Sequence, residues 1–376
     1  MKGRFSKIKD ISAIGIADII GSAISAGFWF YLATLIDVDV YGEISYFLSI
    51  AQIASAVSLL GATNTLVVYS AKNVKIHATL YLLTLTVGVI SAIAVYFVVD
   101  NFATSILVLG YLAFAIGYSD LLGKKYFMTY TKFIIIQKIL MVSLSLGLFN
   151  QIGRDGIILG MALAHLIGII RIFSGFRETK IDFSLFRKKI DFISSNFLNT
   201  LTGAFAGTID KIIIAPLFGF ALLGNYSLGL QFLSMLSILP VIVSKYLIPL
   251  DSSGIENKKL KKIIIAVSIG IGILGFVIGP EVVVRFFPKF TDADVILRIV
   301  SLAVIPSTIA MTYHSKFLGK EKGHYVLFSG IIKIAILIVG IVVLGRFYQI
   351  EGIATSLVLA AISDMCFSIF MSKRIK

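Results

Sequence analysis

Apolar runs long enough to cross a lipid bilayer occupy most of this 376-residue chain. A helix needs roughly 20 apolar residues to span the hydrocarbon core, and the sequence contains twelve such runs. They lie at about 11–36, 42–69, 77–98, 101–121, 126–148, 154–176, 193–218, 222–250, 261–285, 292–317, 323–345 and 349–372. Because 58% of the residues are hydrophobic and only 14% are charged, we predict an all-α polytopic membrane protein.

Basic residues are abundant in every second gap between these runs. Cytoplasmic gaps are expected to be rich in Lys and Arg, and the rich gaps lie at 2–9, 72–75, 124–125, 177–189, 258–262, 316–322 and 373–376. The other gaps contain only Arg154, Arg285, Lys289 and Arg346. The pattern predicts a multi-pass protein of the cytoplasmic (plasma) membrane with both termini in the cytoplasm. It also accounts for the net charge of +14, so we expect no nucleic-acid partner.

Short sequence matches relate the two halves of the chain. "LGK" at 122–124 recurs at 318–320, and "RDGIILGMALA" at 154–164 resembles "IEGIATSLVLA" at 350–360, both with an offset of 196. "YGEIS" at 41–45 matches "LGNYS" at 223–227 with an offset of 182. A duplicated six-helix unit with one insertion would give this pattern. We therefore predict two pseudo-symmetric six-helix lobes, 1–176 and 193–376, joined by a cytoplasmic linker at 177–192.

Two lysines lie far from any predicted helix end. Lys138 and Lys333 are about 18 and 15 Å from the cytoplasmic ends of the fifth and eleventh runs, so neither snorkels easily to the interface. They are also repeat mates, with an offset of 195. A charge at the bilayer centre costs about 2.5–3.5 kcal/mol on insertion scales. The positions predict either a cationic substrate-binding cavity between the halves or pairing of each lysine with a carboxylate or helix carbonyl for packing.

Four further charged residues fall inside the predicted spans. Asp210 and Lys211 are adjacent, about 25 Å into the seventh run, and point about 100° apart on a helix. We expect Asp210 to pair or hydrogen-bond with another span and Lys211 to reach the outer interface. Asp18 and Asp364 lie about two turns inside their runs. For all four residues we predict a structural or gating role.

Motifs of nucleophilic, nucleotide-binding or metal chemistry are missing from the sequence. It contains no metal-ligand cluster, phosphate-binding loop or nucleophile elbow. His165 and His314 are isolated and are expected to make polar contacts rather than to bind a metal. We therefore expect no enzyme activity, no metal and no cofactor.

Pro240 lies inside the eighth run and predicts a kink there.

Three segments carry a family resemblance: "YGEISYFLSIAQIASAVSLLG" at 41–61, "IDKIIIAPLFGFALLGNYSLGLQFL" at 209–233 and "YQIEGIATSLVLAAIS" at 348–363. They resemble the polysaccharide biosynthesis flippases of the O-antigen type, in the multidrug, oligosaccharidyl-lipid and polysaccharide exporter superfamily. In that family an aspartate stands in the seventh span, and a Gly and a Tyr open the eighth. Asp210, Gly224 and Tyr226 match this pattern.

The resemblance implies that the chain translocates a polyprenyl-(pyro)phosphate-linked oligosaccharide by alternating access between two six-helix lobes. The implied partners are this lipid-linked oligosaccharide, membrane lipids, and glycosyltransferases or a polymerase of the same pathway. One alternative is a cation-coupled multidrug or small-molecule exporter of the same fold, which would depend on buried acids such as Asp18, Asp210 and Asp364. Another is an integral-membrane sugar polymerase or ligase, although the longest outward gap, 280–292, is short for such an enzyme. A noncatalytic scaffold is hard to reconcile with the buried charges.

Overall fold

The structure, a computed structural model, describes residues 2–252, 257–320 and 322–374, and every regular element in these ranges is a helix. The prediction of an all-α chain is therefore confirmed. A 3₁₀ turn, Leu166–Gly168, joins the helix that ends at His165 to the helix that begins at Ile169. The helices are α1 (Lys2–Leu35), α2 (Val38–Ser58), α3 (Ala62–Ala71), α4 (His77–Val99), α5 (Phe102–Gly123), α6 (Phe127–Ile152), α7 (Arg154–His165), α8 (Ile169–Glu178), α9 (Phe183–Lys188), α10 (Ile190–Phe218), α11 (Phe220–Leu236), α12 (Ile238–Ser252), α13 (Lys258–Val277), α14 (Gly279–Phe286), α15 (Ala293–Ser301), α16 (Val304–Gly319) and α17 (Gly323–Arg374).

The number of helices able to cross a membrane agrees with the sequence pattern. Within the described residues, eight helices are long and apolar enough, and the number becomes eleven if each of three bent pairs is one span. These pairs are α2–α3, α11–α12 and α15–α16, bent by 49°, 48° and 40°. The 52-residue α17 counts once here, although its backbone is non-helical at Gln349. Dividing α17 at that residue adds one to eleven and gives the twelve predicted runs.

The bends have local causes in the sequence. The kink predicted in the eighth run is confirmed by the bend between α11 and α12. Pro240 lies just after this bend, in the first turn of α12, where its missing N–H breaks no helical hydrogen bond. Pro306 has the same place in α16. In the second run the bend falls at Gly61, whose φ is +74°. A Cβ added there would lie 2.5 Å from the backbone nitrogen of Phe197, so only glycine fits.

The internal repeat reappears as two equivalent helix hairpins. Gly156 at the start of α7 packs so closely on α6 that an added Cβ would lie 2.3 Å from the carbonyl oxygen of Leu148. In α17 a Cβ on Gly352 would lie 2.1 Å from the carbonyl oxygen of Leu344. Both members of the second contact lie 196 positions after their counterparts. Small residues allow this close approach of helices in membranes, and the two contacts are related by the same offset as the sequence matches.

The turns of these two hairpins share an unusual backbone conformation. Gly153 has φ 64° and ψ −142°, and Gln349, which is 196 positions later, has φ 45° and ψ −121°. A positive φ of this kind costs a non-glycine residue about 1–3 kcal/mol. Glycine adopts it without that cost. The second hairpin therefore retains strain that the first avoids.

We expect reciprocal substitutions at these turns to have opposite effects on stability. Gln349→Gly should raise the free energy of unfolding by about 1 kcal/mol, after allowance for glycine's greater unfolded-state entropy. Gly153→Gln should lower it by about 1–3 kcal/mol. No atom lies within 4 Å of a Cβ added at Gly153, so a steric clash would not explain the loss. Thermal unfolding of the purified variants in detergent measures both effects, and shifts of the same sign would contradict the strain argument.

The chain divides into two compact units, Met1–Phe28 with Phe47–Ala204 and Trp29–Tyr46 with Phe205–Lys376. Each unit has its own apolar core. Fully buried side chains of the first core include Leu66, Leu80 and Tyr81. Those of the second include Tyr226 and Ile341.

The first part of α2 belongs to the second unit because it crosses the start of α11. A Cβ on Gly42 would lie 2.0 Å from the carbonyl oxygen of Phe220, and one on Gly224 would lie 2.1 Å from that of Val38. Gly42 and Val38 precede Gly224 and Phe220 by the same 182 positions. Each repeat therefore provides a glycine that packs on the backbone of the other.

The two units differ from the sequence-based lobes in two segments. Residues 29–46 group with the second unit, and residues 193–204 group with the first. Ile193, for example, lies in the first core. The division at 177–192 follows the sequence repeat rather than these contacts, and it stays a prediction.

Candidate functional site

Lys138 lies near the middle of α6 in the first unit. It comes eleven residues after Phe127, about 16 Å along the helix, and is half-buried. Its aliphatic stem packs over Gly21 of α1, where an added Cβ would lie 3.7 Å from the Cγ atom of Lys138 and 3.9 Å from its Cε atom. Among the side chains that the structure describes, no carboxylate oxygen lies within 4.0 Å of its ammonium group.

Asp18 lies on α1 three residues before Gly21, against the same helix. The Tyr130 hydroxyl donates a hydrogen bond of 3.4 Å to Asp18 Oδ1. Because Tyr130 precedes Lys138 by about two helical turns, both residues face α1. The structure therefore places Asp18 and Lys138 along one helix–helix contact. A gating role for Asp18 stays a prediction.

A buried histidine and glutamine lie beside Lys138. His165 Nδ1 is 2.6 Å from the carbonyl oxygen of Met161, which can only accept, so this nitrogen carries the proton. In the neutral ring Nε2 is then the acceptor, and it receives a 3.1 Å hydrogen bond from Gln137 Nε2. The expectation that His165 makes a polar contact is confirmed.

Lys333 lies at a similar depth along a helix of the second unit. It comes ten residues after the start of α17, about 15 Å along the helix, and is half-buried. No carboxylate oxygen within the described part of the chain lies within 4.0 Å of its ammonium group. The charge of Lys333 acts on Asp364 from beyond this distance.

Asp364 has its own hydrogen-bond donors. It is 6% exposed, and its Oδ1 accepts from the Ser329 hydroxyl and lies 3.0 Å from His314 Nε2. The Ser368 hydroxyl lies 3.5 Å from the same oxygen and 3.1 Å from His314 Nε2. These groups provide donors to one oxygen of the carboxylate, and the expected polar contact of His314 is confirmed.

Asp210 is bound by the next helix. Its Oδ2 accepts a 2.8 Å hydrogen bond from the Tyr226 hydroxyl of α11, and its Oδ1 accepts one from the backbone nitrogen of Lys211. The predicted hydrogen bond to another span is therefore present. Lys211 donates from Nζ to the carbonyl oxygen of Gly207 in its own helix, at 3.3 Å. Its contact with the outer interface stays a prediction.

Removing the tyrosine hydroxyl should destabilise the second unit. Tyr226 is fully buried and Asp210 is 5% exposed, so Tyr226→Phe would leave a buried carboxylate oxygen without this donor. Such a loss costs about 1–3 kcal/mol. Tyr31→Phe is the matched control because Tyr31 is 52% exposed. Thermal unfolding in detergent compares the two variants, and an equal effect of both would contradict the role assigned to the hydrogen bond.

A buried charge network at the end of α5 was not predicted from the sequence. Asp120 is fully buried. Its Oδ2 accepts from Arg171 Nη2 at 2.6 Å and from Arg171 Nε at 3.0 Å. Lys124 Nζ lies 3.1 Å from Oδ1 and also pairs with Glu178. His77 Nε2 is 3.8 Å from the same carboxylate. The available signal was that these residues lie at predicted cytoplasmic ends of neighbouring runs.

Metal binding finds no support in the described part of the chain. No three His, Cys, Asp or Glu residues there are placed to hold a metal ion. The polar groups that do converge are arranged as hydrogen-bond clusters and one ion-pair network.

Comparison with known proteins identifies the fold. No family model matches the sequence, and no curated protein matches it significantly. Among solved structures, the chain is similar to the lipid II flippase MurJ in an inward closed conformation, with a TM-score of 0.78 and 14% identity over 96% of this chain and 87% of that one. An inward-facing multidrug resistance MATE family transporter of the MOP superfamily matches with a TM-score of 0.68 and 12% identity, over 97% and 98% of the two chains.

A third similar structure is a MOP superfamily transporter from Pyrococcus furiosus, with a TM-score of 0.64 and 15% identity over 98% of this chain and 95% of that one. The similarity covers nearly the whole chain in each case. The protein therefore has the fold of the MOP superfamily transporters.

Proposed function

We propose that this protein is a flippase that moves a polyprenyl-(pyro)phosphate-linked oligosaccharide across the cytoplasmic membrane by alternating access, for polysaccharide or glycoconjugate biosynthesis. The observation that carries the proposal is that two lysines in the middle of helices lack a nearby carboxylate. Lys138 and Lys333 are half-buried, and neither has a carboxylate within 4.0 Å among the described side chains. An anionic substrate would supply the missing counter-charge.

Two of the intramembrane acids have hydrogen-bond donors of their own. Asp210 and Asp364 receive hydrogen bonds from tyrosine, serine and histidine donors. A buried cation without a partner is costly, and a chain gains nothing in stability from keeping two of them. Phosphate oxygens are strong acceptors for Lys. The lysines thus favour a phosphate-bearing substrate over a cationic one.

The lipid-linked character of the substrate rests on the fold and the sequence resemblance. MurJ, which the chain resembles in structure over most of its length, is described as a lipid II flippase. The three sequence segments that resemble polysaccharide flippases lead to the same class of cargo. We propose glycosyltransferases or a polymerase of the same pathway as functional partners. The abundance of Lys and Arg in alternate gaps supports a cytoplasmic location of both termini.

Reconstituted protein tests this proposal directly. Proteoliposomes containing a fluorescent polyprenyl-pyrophosphate sugar are treated with a membrane-impermeant quencher, with and without pH and sodium gradients. We expect protein-dependent movement of the label between leaflets, and competition by unlabelled carrier but not by organic cations. Wild-type protein that moves no carrier under any gradient would overturn the flippase assignment.

A cation-coupled multidrug exporter is the second candidate. It is favoured by the structural similarity to MATE family transporters and by the intramembrane acids Asp18, Asp210 and Asp364. Such a protein would move organic cations in exchange for protons or sodium. In the same proteoliposomes, Asp364→Asn would then abolish cation-driven drug transport. A flippase that uses its lysines would keep most of its carrier movement in this variant.

A further inference from the structure

A pocket lined by four lysines lies in the second unit. It is formed by the first turns of α13 and the last turns of α16, and its volume is about 220 Å³. One water molecule occupies roughly 30 Å³ in the liquid, so the pocket has room for a phosphate group with several water molecules. Its lining residues are Lys258, Lys261, Lys262, Ile265, Thr312, Tyr313 and Lys316.

Helical spacing brings these lysines together. Lys258, Lys261 and Lys262 are at positions i, i+3 and i+4 of α13, which share one helix face. Lys316 lies one turn after Thr312 on α16 and faces the same pocket. Both helices end here, one at its N-terminus and the other at its C-terminus.

The position of the α13 lysines opposes helix stability. The N-terminus of a helix carries a partial positive charge and favours acidic side chains. The first turn of α13 contains no acidic residue and begins instead with lysine. Asn257 caps this turn, accepting a 3.0 Å hydrogen bond from the backbone nitrogen of Leu260. Helix formation therefore does not explain the lysines, whereas an anion at this end would be attracted both by them and by the helix terminus.

Only part of this positive charge is compensated within the described chain. Asp251 Oδ2 accepts from Lys261 Nζ at 2.8 Å and from the Ser315 hydroxyl at 2.5 Å, which fixes one lysine in place. Lys262 and Lys316 have no carboxylate within 4.0 Å among the described side chains. The pocket is thus preorganised by one ion pair and remains positively charged.

The surface beneath the pocket favours a lipid over a soluble anion. Ile265, Ile269 and Ile273 follow each other at four-residue spacing and continue the helix face that lines the pocket. Ile269 is 41% exposed and Ile273 is 53% exposed. They belong to a helix that is apolar and long enough to cross a membrane. A headgroup in the pocket would therefore have its acyl chains directly on an apolar surface.

We propose that this lysine pocket binds the phosphate of an anionic phospholipid headgroup, with the acyl chains along the Ile265–Ile269–Ile273 face. Basic pockets between membrane helices near the cytoplasmic surface recognise such headgroups. The lining of the pocket does not include Lys138 or Lys333, and the proposal does not depend on which substrate is transported. Inorganic pyrophosphate is the soluble alternative ligand: it has phosphate oxygens for the lysines but no acyl chain to contact the apolar face.

Native mass spectrometry of the full-length protein in detergent tests the proposal. Dioleoyl-phosphatidylglycerol and dioleoyl-phosphatidylcholine are titrated against the wild type, Lys262→Gln with Lys316→Gln, and the control Lys180→Gln with Lys188→Gln. Both control lysines are exposed and belong to another predicted cytoplasmic gap, so the two variants lose the same charge. We expect preferential binding of the anionic lipid, weakened about 10- to 30-fold only in the pocket variant.

Two results would overturn the proposal. An equal loss in both double variants would show that general surface charge attracts the lipid. Displacement of the lipid by equimolar inorganic pyrophosphate would show that the pocket takes a soluble phosphate instead. Thermal unfolding without added lipid checks that the pocket variant is folded. If it is not, the single variants Lys262→Gln and Lys316→Gln replace it, with an expected loss of about fivefold each.

Discussion

Replacing Lys138 and Lys333 together by alanine is expected to reduce carrier translocation at least 100-fold. A hydrogen bond to a charged group contributes about 1.5–3 kcal/mol, which is roughly a factor of 10 to 100 for each lysine–phosphate contact. Both ammonium groups lack a carboxylate within 4.0 Å in the described structure, so their removal should cost transport rather than folding. The leaflet-accessibility assay in proteoliposomes measures the rate, and thermal unfolding checks that the variant is folded.

Two further variants separate charge in the path from charge in general. Lys132→Ala with Lys322→Ala removes two exposed lysines and should leave the rate within about twofold. Lys138→Arg with Lys333→Arg keeps both charges and should retain much of the activity, although Arg differs from Lys in shape. Unchanged transport in the double alanine variant would remove the basis for a cationic path. If the double arginine variant is as slow as the double alanine variant, the two lysines would instead have a packing role.

Much of the fold can be predicted from hydropathy alone. The twelve apolar runs reappear as helices with ends shifted by a few residues, since the length of a bilayer-spanning helix is set by membrane thickness. The bends are only partly predictable. Pro240 signals its bend, because proline lacks the N–H that a helix interior needs. The break at Gly61 depends on the close approach of Phe197, which lies 136 positions away and leaves no local signal.

The position of α2 shows another limit of sequence reasoning. The repeat correctly relates Gly42 to Gly224, because both are needed for a close backbone contact. It does not indicate that these two glycines meet each other's helices. Consequently the segment 29–46 groups with the second unit. A repeat reports common ancestry of the halves, whereas the grouping depends on which helices pack together.

For the candidate site, the sequence predicts how deep each charged residue lies in its helix but not which residues it contacts. The sequence gives the depth of Lys138 and Lys333, since depth depends only on counting residues along a helix. The partners come from segments that are remote in sequence, as in the contact of Asp364 with His314, 50 positions earlier. The surroundings of the two lysines also differ. A histidine and a glutamine lie near Lys138, whereas an acid with its own donors lies near Lys333.

This difference bears on how the two halves could contribute to transport. With the offset of 195 that relates the two lysines, Ile169 corresponds to Asp364 and Ala360 corresponds to His165. The predicted duplication would thus have kept the two lysines and changed the groups around them. If the lysines bind phosphate, the single variants should have unequal effects, because Lys333 lies close enough to Asp364 for their charges to interact. Lys138→Ala should then cost more transport than Lys333→Ala.

Removing the carboxylate of Asp120 is expected to cause the largest loss of stability of any single substitution considered. Asp120 is fully buried and receives two hydrogen bonds from Arg171 and an ion pair from Lys124. Breaking a buried ion pair by removing one partner costs about 3–5 kcal/mol, because the other charge is left uncompensated. Asp120→Ala should therefore lower the thermal unfolding midpoint strongly. Asp37→Ala is the control: its pair with Lys289 is exposed and should contribute at most about 1 kcal/mol.

A double-mutant cycle identifies the cause of that loss. Lys124 retains Glu178 when Asp120 is removed, so the charge left without a partner is mainly that of Arg171. If this uncompensated charge dominates, Arg171→Met in the Asp120→Ala background should recover about 1–3 kcal/mol, although Arg171→Met alone is destabilising. The charges would then be coupled across α5 and α8. Strictly additive losses would mean instead that Asp120 and Arg171 contribute through separate packing contacts, and that the ion pair adds nothing to the stability of the first unit.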